Sequence, residues 1–347
     1  LPVKFGGLGI PNPSETSAKN YTASVAVTGR ITASLLANAP LNLSEYKTDV
    51  KAALREAAKQ RQATYKEAFE SHLSTVSKTA QRRLKRSKET GNWLTLTPNA
   101  LNGTELSALE FRDNVRLRCG LKPANLPATC DGCQENFSVG HAVVCKKGGL
   151  VRLRHEDLKS EWHQLCARAF TPSAVTDEPL IHLGQASNSN GANSSCNTVE
   201  PELRGDVAVR GFWTRGTTAV FDVRITDTDA PTYRGHDPAK VLRKHEKEKK
   251  KLYLDRCLDQ RRHFTPLVFS VDGMLAPEAL AASKKLSAAL AIKWQRSYSE
   301  VCGYVRSRLS IALVRSMGQC LRGSRDPQAQ RPGATWDCGT GLGLYRM

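Results

Sequence analysis

Two aspartates, Asp206 and Asp222, lie sixteen residues apart in the segment RGDVAVRGFWTRGTTAVFDVRIT. If the end of this segment is a strand, side-chain alternation places Asp222 and Arg224 on one face and the intervening apolar residues on the other. Phosphodiester hydrolysis needs carboxylates from separate backbone segments that converge on a divalent cation, with a cationic side chain nearby for the attacking water or the phosphate. The segment therefore predicts the core of a metal-dependent nuclease.

A helix predicted after this strand carries a second set of polar residues. Asp237 is a helix-capping residue type, and Pro238 is favoured at the first helical position. Lys249 and Tyr253 lie four residues apart on this helix, so they share one face. The alternative is that the segment HEKEKKK is only a charged face in contact with solvent. The Asp-x-Arg strand upstream favours the catalytic interpretation.

Four residues with metal-ligand chemistry form a C-x2-C-x7-H-x3-C pattern: Cys130, Cys133, His141 and Cys145. An Asp-Gly turn separates the first pair, and the second pair lies one helical turn apart. This spacing predicts a tetrahedral zinc site with a structural role, in folding or in nucleic-acid binding, because four protein ligands leave no open position for catalysis. The alternative is chance clustering in a cysteine-rich chain.

The two aspartate motifs resemble those of the restriction-endonuclease-like PD-(D/E)XK superfamily. Arg204-Gly205-Asp206 corresponds to the Pro-Asp element, and Asp222-Val223-Arg224 corresponds to the (D/E)-x-K element. Glycine replaces the proline, and arginine replaces the lysine. Since arginine does not lose its proton in proteins, the role of the lysine must be supplied from elsewhere.

The order of the motifs resembles the C-terminal region of site-specific non-LTR retrotransposon reverse transcriptases. These proteins carry a CCHC knuckle before a nuclease of this superfamily, whose lysine lies on the following helix in a K-x-x-K-Y pattern. Lys249 and Tyr253 match the first and last positions, Leu252 departs at the fourth, and Lys251 is the alternative lysine. The segment LPVKFGGLGIPNP resembles the sequence after the polymerase palm. The chain is therefore expected to be the C-terminal part of a longer polyprotein, and it contains no Tyr-x-Asp-Asp polymerase motif.

The resemblance implies a catalytic Mg2+ bound by Asp206 and Asp222. Glu161 or Glu178 would complete the metal shell, although each is also of a type common on protein surfaces. These assignments predict a second kind of metal centre in the same chain, built from hard oxygen ligands.

The resemblance also implies roles for the cationic and phenolic residues. Lys249 would orient the attacking water or stabilise the phosphate, and Arg224 and Tyr253 would support the scissile phosphate. The implied reaction nicks target DNA and leaves a 3′ hydroxyl that primes reverse transcription. The alternative function is a catalytically degenerate remnant that contains zinc and binds nucleic acid without cutting it. A structural zinc protein without a nucleic-acid role is a third interpretation.

The elements that must position these residues predict an α+β fold. A helix, three strands, a helix and a strand follow in that order after the knuckle, as expected for a mixed sheet flanked by helices. The predicted domains are a helical post-palm or thumb-derived region (1–100), a helix with the zinc knuckle (101–150), the nuclease domain (151–322) and a flexible tail (323–347). In the first domain the sequence predicts a buried helix of small residues at about 23–39 and an alanine-rich, basic helical stretch at 44–88. A capping-box pattern at Ser107–Glu110 predicts the start of another helix. The polar stretch GQASNSNGANSSCNTVEPE, which contains Cys196, is predicted to be a loop.

Charge indicates the partners. The chain has 51 Lys and Arg residues against 33 Asp and Glu, a net charge of +18. Such an excess favours a polyanion as partner and disfavours the purely structural interpretation. The resemblance implies that the partners are DNA, the element's RNA and the remainder of the reverse transcriptase. The ten cysteines do not form a secreted disulfide pattern, so an intracellular, nuclear location without a membrane span is predicted.

Overall fold

The computed structural model describes residues 1–183 and 202–326. The chain divides into two compact units, Leu1–Leu94 and Thr95–Met347. The predicted loop that contains Cys196 and the predicted tail beyond residue 326 lie outside the described residues. None of the helices in the described ranges is both long and apolar enough to cross a lipid bilayer.

The first unit is a set of three helices, α1 (Pro13–Leu36), α2 (Leu43–Thr75) and α3 (Lys78–Ser87). The predicted helical stretch from 44 to 88 is interrupted where Ser77 caps α3. The prediction that a helix at about 23–39 is buried is wrong, because no residue of α1 is buried. Within this unit α1 packs along α2.

The second unit begins with helices that lead to the sheet. They are α4 (Ala108–Arg118), α5 (Val139–Val144) and α6 (Leu150–Ala169). The start of α4 is the predicted capping box, in which the Ser107 hydroxyl accepts from the Glu110 N–H and the Glu110 carboxylate accepts from the Ser107 N–H. The sequence pattern thus located this helix start correctly.

A four-stranded mixed sheet forms the centre of the second unit. The six strands of the described residues are β1 (Val175–Asp177), β2 (Leu180–His182), β3 (Leu203–Arg204), β4 (Val207–Arg210), β5 (Thr218–Thr226) and β6 (His263–Ser270). The main sheet has the order β1-β4-β5-β6, and β2 and β3 form a separate pair. β4 and β5 are antiparallel, whereas β5 and β6 are parallel. The parallel connection requires a crossover, and α7 (Pro238–Asp259) is the helix in it.

Helices cover both faces of this sheet. On one face, α6, α8 (Pro277–Trp294) and α9 (Tyr298–Arg322) enclose a core that includes Phe221 and Val223 of β5. On the other face, α7 packs against β-strand residues through Tyr253 and Cys257. This arrangement confirms the predicted α+β class with a helix-flanked mixed sheet.

The knuckle region packs directly on the C-terminal half of α9. Ala142 and Val143 of α5 share a buried cluster with Met317 and Leu321. The predicted division at residue 150 therefore falls inside one compact unit. The first residues of the predicted flexible tail, 323–326, also pack on the knuckle, where the side chain of Arg325 is 1% exposed.

Candidate metal cluster and candidate active site

The predicted knuckle residues converge on one point. The ligand atoms of Cys130, Cys133, His141 and Cys145 all lie within 4.8 Å of one another. The Cys133 Sγ is 3.4 Å from the His141 Nε2 and 3.9 Å from the Cys145 Sγ. Three thiols and one imidazole with this geometry could hold a metal ion such as zinc.

Local backbone contacts set this convergence. The Cys130 N–H donates to the Glu135 carbonyl, and the Gln134 N–H donates back to the Cys130 carbonyl, which closes the turn between the first two ligands. Burial raises the pKa of the Cys130 thiol, but N–H groups of Cys133 and Gly132 lower it, and the resulting pKa is about 6. The turn thus favours the thiolate, the form that binds metal.

The turn of the knuckle is fastened to the chain after α9. The Asp131 carboxylate accepts hydrogen bonds from the Ser324 hydroxyl at 2.6 Å and from the Arg325 N–H at 2.7 Å. A Cβ at Gly132 would lie 2.7 Å from the Cβ of Arg325, so only glycine permits this approach. The Arg325 guanidinium donates to the carbonyls of Ala142 and Cys320. We call residues 323–326 the knuckle strap.

The carboxylate of Asp222 lies at the centre of the second candidate site. It projects from β5 toward α7, and the residue is only 5% exposed. Its Oδ2 is 2.7 Å from the Lys249 Nζ. Burial, followed by the neighbouring Asp206 charge, raises the pKa of Asp222 even though Lys249 lowers it. Asp222 is thus a buried carboxylate whose charge is only partly compensated by Lys249.

Asp206 lies beside Asp222 at the start of β4. Its Oδ2 accepts hydrogen bonds from the Val223 N–H and from the His155 Nε2, the latter at 3.2 Å. Both contacts use one oxygen. The pairing of β4 with β5 places Asp206, which directly precedes β4, close enough to Asp222 for its charge to raise the pKa of Asp222.

The glycine that replaces the proline of the resembled motif has a steric reason here. A Cβ built on Gly205 would lie 2.4 Å from the Cγ1 of Val220 and 3.3 Å from the Phe221 carbonyl oxygen. A contact of 2.4 Å is too short for any side chain, so the backbone passes β5 at a distance that excludes proline. This departure from the resembled pattern therefore has a packing explanation.

Lys249 and Tyr253 of α7 meet at the same carboxylate. The Lys249 Nζ lies 5.5 Å from the centre of the Tyr253 ring, and that ring stacks on Phe264 of β6. Burial, followed by the Asp222 charge, raises the pKa of the Tyr253 phenol. The phenol thus keeps its proton and can act as a hydrogen-bond donor beside Asp222. Among the two lysines left open by the sequence, it is Lys249 that contacts Asp222, whereas Lys251 is exposed.

Arg224 lies on the same face of β5 but has a different partner. Its Nη1 is 2.9 Å from the Glu248 Oε2, and the same oxygen is 3.0 Å from the Nδ1 of His245. The predicted alternation of β5 is thus observed, with Asp222 and Arg224 both directed to α7. Each of these two residues contacts an α7 side chain of opposite charge.

The two glutamates proposed as further metal ligands are engaged by other cations. Glu161 makes a two-point contact with Arg308 of α9, at 2.7 and 2.8 Å, and has no contact with the aspartates. The Glu178 N–H donates to the Asp206 carbonyl, but its carboxylate lies 3.2 Å from the Lys159 Nζ. The structure therefore brings Glu178 near the site through its backbone and leaves Glu161 outside it.

His155 of α6 was not among the predicted site residues. Its Nε2 lies 3.2 Å from both the Asp206 Oδ2 and the Val223 carbonyl oxygen. The hydrogen bond to Asp206 is the main cause that raises the pKa of His155. No local sequence pattern indicates this contact, because His155 lies in the first helix after the knuckle and its partner Asp206 is 51 residues away.

No protein-family model matches the chain, and no curated protein matches it.

Proposed function

We propose that this protein is a Mg2+-dependent DNA endonuclease that nicks one strand of a duplex. The observation that carries the proposal is the buried Asp222 carboxylate, with Lys249 at 2.7 Å and Asp206 close enough to shift its pKa. Buried charges of one sign are costly to bring together, so their convergence is typical of a site that handles charge in its function. β5 and α7 contribute Asp222 and Lys249, and Asp206 directly precedes β4.

The residues fit a magnesium ion by the nature of their donors. Mg2+ prefers hard oxygen ligands, keeps several waters and is commonly bound through only one or two carboxylates. Asp222 contacts Lys249 through Oδ2, and Asp206 uses only Oδ2 in the contacts described above. Two carboxylates with free acceptor capacity are enough for such an ion. When bound, the ion supplies positive charge at the phosphate and activates water.

The protein's own side chains have distinct tasks in this proposal. Lys249 is held at the reaction centre by Asp222 and donates hydrogen bonds to the attacking water or to a phosphate oxygen. The Tyr253 phenol, which keeps its proton, donates to the scissile phosphate. His155 fixes one oxygen of Asp206 and leaves the other available. Lysine at this position supplies the role that Arg224 cannot, since arginine stays protonated.

The proposed partners are target DNA, the element's RNA and the remaining parts of a reverse transcriptase polyprotein. The net charge of +18 favours polyanions, and basic runs lie at 145–154 and 243–251 in the sequence, around the knuckle and the site helix. The nick would leave a 3′ hydroxyl that primes reverse transcription in the nucleus. Phosphate contacts are enough to explain binding but carry no base sequence information.

A second candidate is a degenerate nucleic-acid-binding remnant that contains zinc. Its support is that Glu161 and Glu178 are both engaged by cationic side chains, and that Arg224 is neutralised by Glu248. In that case the knuckle and the basic surface would hold nucleic acid, and Asp222 would have lost its ion.

A plasmid-nicking assay separates the two candidates. Supercoiled plasmid is incubated with the purified chain in Mg2+ and, as a control, in EDTA. The nuclease proposal predicts conversion to the nicked circle in Mg2+ only, and none with Asp222→Asn. Binding of plasmid without cutting by the parent protein, in Mg2+ or Mn2+, would support the remnant instead.

A further inference from the structure

Arg224 forms a second charged position two residues beyond Asp222 on β5. Its guanidinium contacts the Glu248 carboxylate at 2.9 Å, and the side chains are 32% and 44% exposed. The pair is therefore at the surface of the site rather than in its buried part. A guanidinium there is accessible to the backbone phosphates of a duplex that reaches Asp222.

The buried side chain of His245 holds Glu248 in this contact. The His245 Nδ1 lies 3.0 Å from the same Glu248 oxygen that contacts Arg224, and the His245 side chain is only 1% exposed. Its ring packs edge-on against Tyr233, with the ring centres 5.4 Å apart. The hydrogen bond from His245 is the main cause that lowers the pKa of Glu248. Glu248 is therefore an ionised carboxylate with a fixed anchor and an exposed end.

A carboxylate and a phosphate are equivalent partners for a guanidinium. Both present two acceptor oxygens in the geometry that matches the fork of arginine donors. The carboxylate in contact with Arg224 thus occupies a position that suits a phosphate. Glu248 can turn toward solvent because its side chain is almost half exposed, whereas the buried His245 ring cannot follow it.

We propose that Arg224 forms a phosphate-binding subsite beside the carboxylate site, and that Glu248 occupies it in the free protein as a competitor that a DNA phosphate displaces. This inference rests on the proposed function, since it places a duplex at Asp222. Glu248 is a positioning residue: it holds Arg224 extended along the β5 face and weakens binding until a backbone phosphate replaces it. Lys249 remains the cation on Asp222.

The inference predicts a gain in affinity when the competitor is removed. Glu248→Gln keeps the size of the side chain but removes its charge. Partly exposed ion pairs contribute modestly, so we expect binding of a duplex to tighten by about two- to fivefold. Arg224→Gln should weaken binding and lower the salt dependence by about one phosphate contact. In the double variant Glu248→Gln/Arg224→Gln, the gain should disappear.

The experiment is fluorescence anisotropy of a labelled duplex in EDTA, over a series of salt concentrations, with the four proteins of this cycle. Asp255→Asn is the matched control, because Asp255 is an exposed carboxylate on the same helix. An equal gain in the control, or a gain that persists without Arg224, would show that only net charge matters and would overturn the inference. His245→Phe keeps a ring against Tyr233 but removes the anchor, and should give a gain in the same direction.

The conditions also separate this inference from the nuclease proposal. Binding in EDTA does not depend on cutting, so the cycle can be measured on an inactive protein. If the parent nicks plasmid but Glu248→Gln binds no tighter, the competitor role is wrong and the nuclease proposal stands. If the parent does not bind duplex at all, both are wrong.

Discussion

The metal cluster and the carboxylate site differ in how far apart their residues lie in the sequence and in how they affect the stability of the fold. The cluster is assembled from residues 130–145, a short stretch with its own turn and helix. The carboxylate site combines residues of α6, β5 and α7 with Asp206, which directly precedes β4, and its partners lie up to 68 residues apart. The cluster brings together ligands that a bound metal would stabilise, whereas the carboxylate site holds a buried Asp222 whose raised pKa reflects an unfavourable charge. The second unit thus contains both a cluster of residues close in sequence, which a metal would stabilise, and a site of residues distant in sequence, in which a buried charge is unfavourable.

The largest expected effect is the loss of the cluster. Cys130→Ser should reduce zinc from one ion per chain to none and should destabilise the second unit severely, since structural zinc contributes about 10–16 kcal/mol in small zinc domains. Metal analysis and thermal unfolding measure both quantities. Cys119→Ser is the control, because Cys119 is an exposed free thiol. A Cys130→Ser protein with parental zinc content would contradict the assignment of the cluster as a stabilising zinc site.

Asp222→Asn should abolish nicking, with a loss of at least about a hundredfold, because a neutral amide is a poor ligand for Mg2+. The same change should raise the melting temperature. The pKa of Asp222 in the folded protein lies above 3.8, so the ionised carboxylate costs stability at neutral pH, and the cost fades as pH falls through the folded pKa. The difference in melting temperature from the parent should therefore shrink in acid. A lower melting temperature at pH 7 would contradict this explanation.

Lys249→Ala should slow nicking by about 10- to 1000-fold, the range expected when a single donor to a reacting group is lost. Lys251→Ala should leave the rate within about twofold of the parent, as expected for a surface change away from the reacting groups. The two variants each remove one positive charge from nearby positions on α7. A comparison of their initial nicking rates therefore separates the effect of the position of the lysine from the effect of its charge. Equal losses would show that α7 contributes only general attraction for DNA.

Glu161→Gln gives the smallest expected effect on the reaction. Its carboxylate makes two hydrogen bonds with Arg308, and both side chains are mostly buried. We expect a loss of about 1–3 kcal/mol in unfolding free energy and no change in nicking rate per folded molecule. Denaturant unfolding and the plasmid assay together check this. A lost nicking activity with parental stability would restore Glu161 as a metal ligand.

The sequence predicted most where the determinants are local. The knuckle spacing, the capping box at Ser107 and the alternation of β5 each depend on residues close together in the chain, and the structure has all three. Lys249 is preferred to Lys251 because, with Tyr253, it matches the first and last positions of the resembled K-x-x-K-Y pattern. Contacts between distant elements were missed, since no periodicity reports them.

Three residues show this limit. His155 reaches Asp206 only because α6 packs across β4 and β5. Glu161 was proposed as a ligand from its residue type, but the helix turns it toward α9 and Arg308. Glu248 lies in the charged run whose alternative interpretation is a solvent-facing surface, yet it contacts both Arg224 and the buried His245.

The knuckle strap has a consequence for where the chain can be shortened. The sequence suggests Arg322 as the end of the folded part, yet Arg325 fills the space between the turn at Gly132 and the end of α9. A protein that stops at Arg322 would lack that guanidinium and would leave the Asp131 carboxylate without the hydroxyl and N–H groups that it binds. The smallest version of the second unit that keeps the metal cluster shielded therefore extends through at least Asp326.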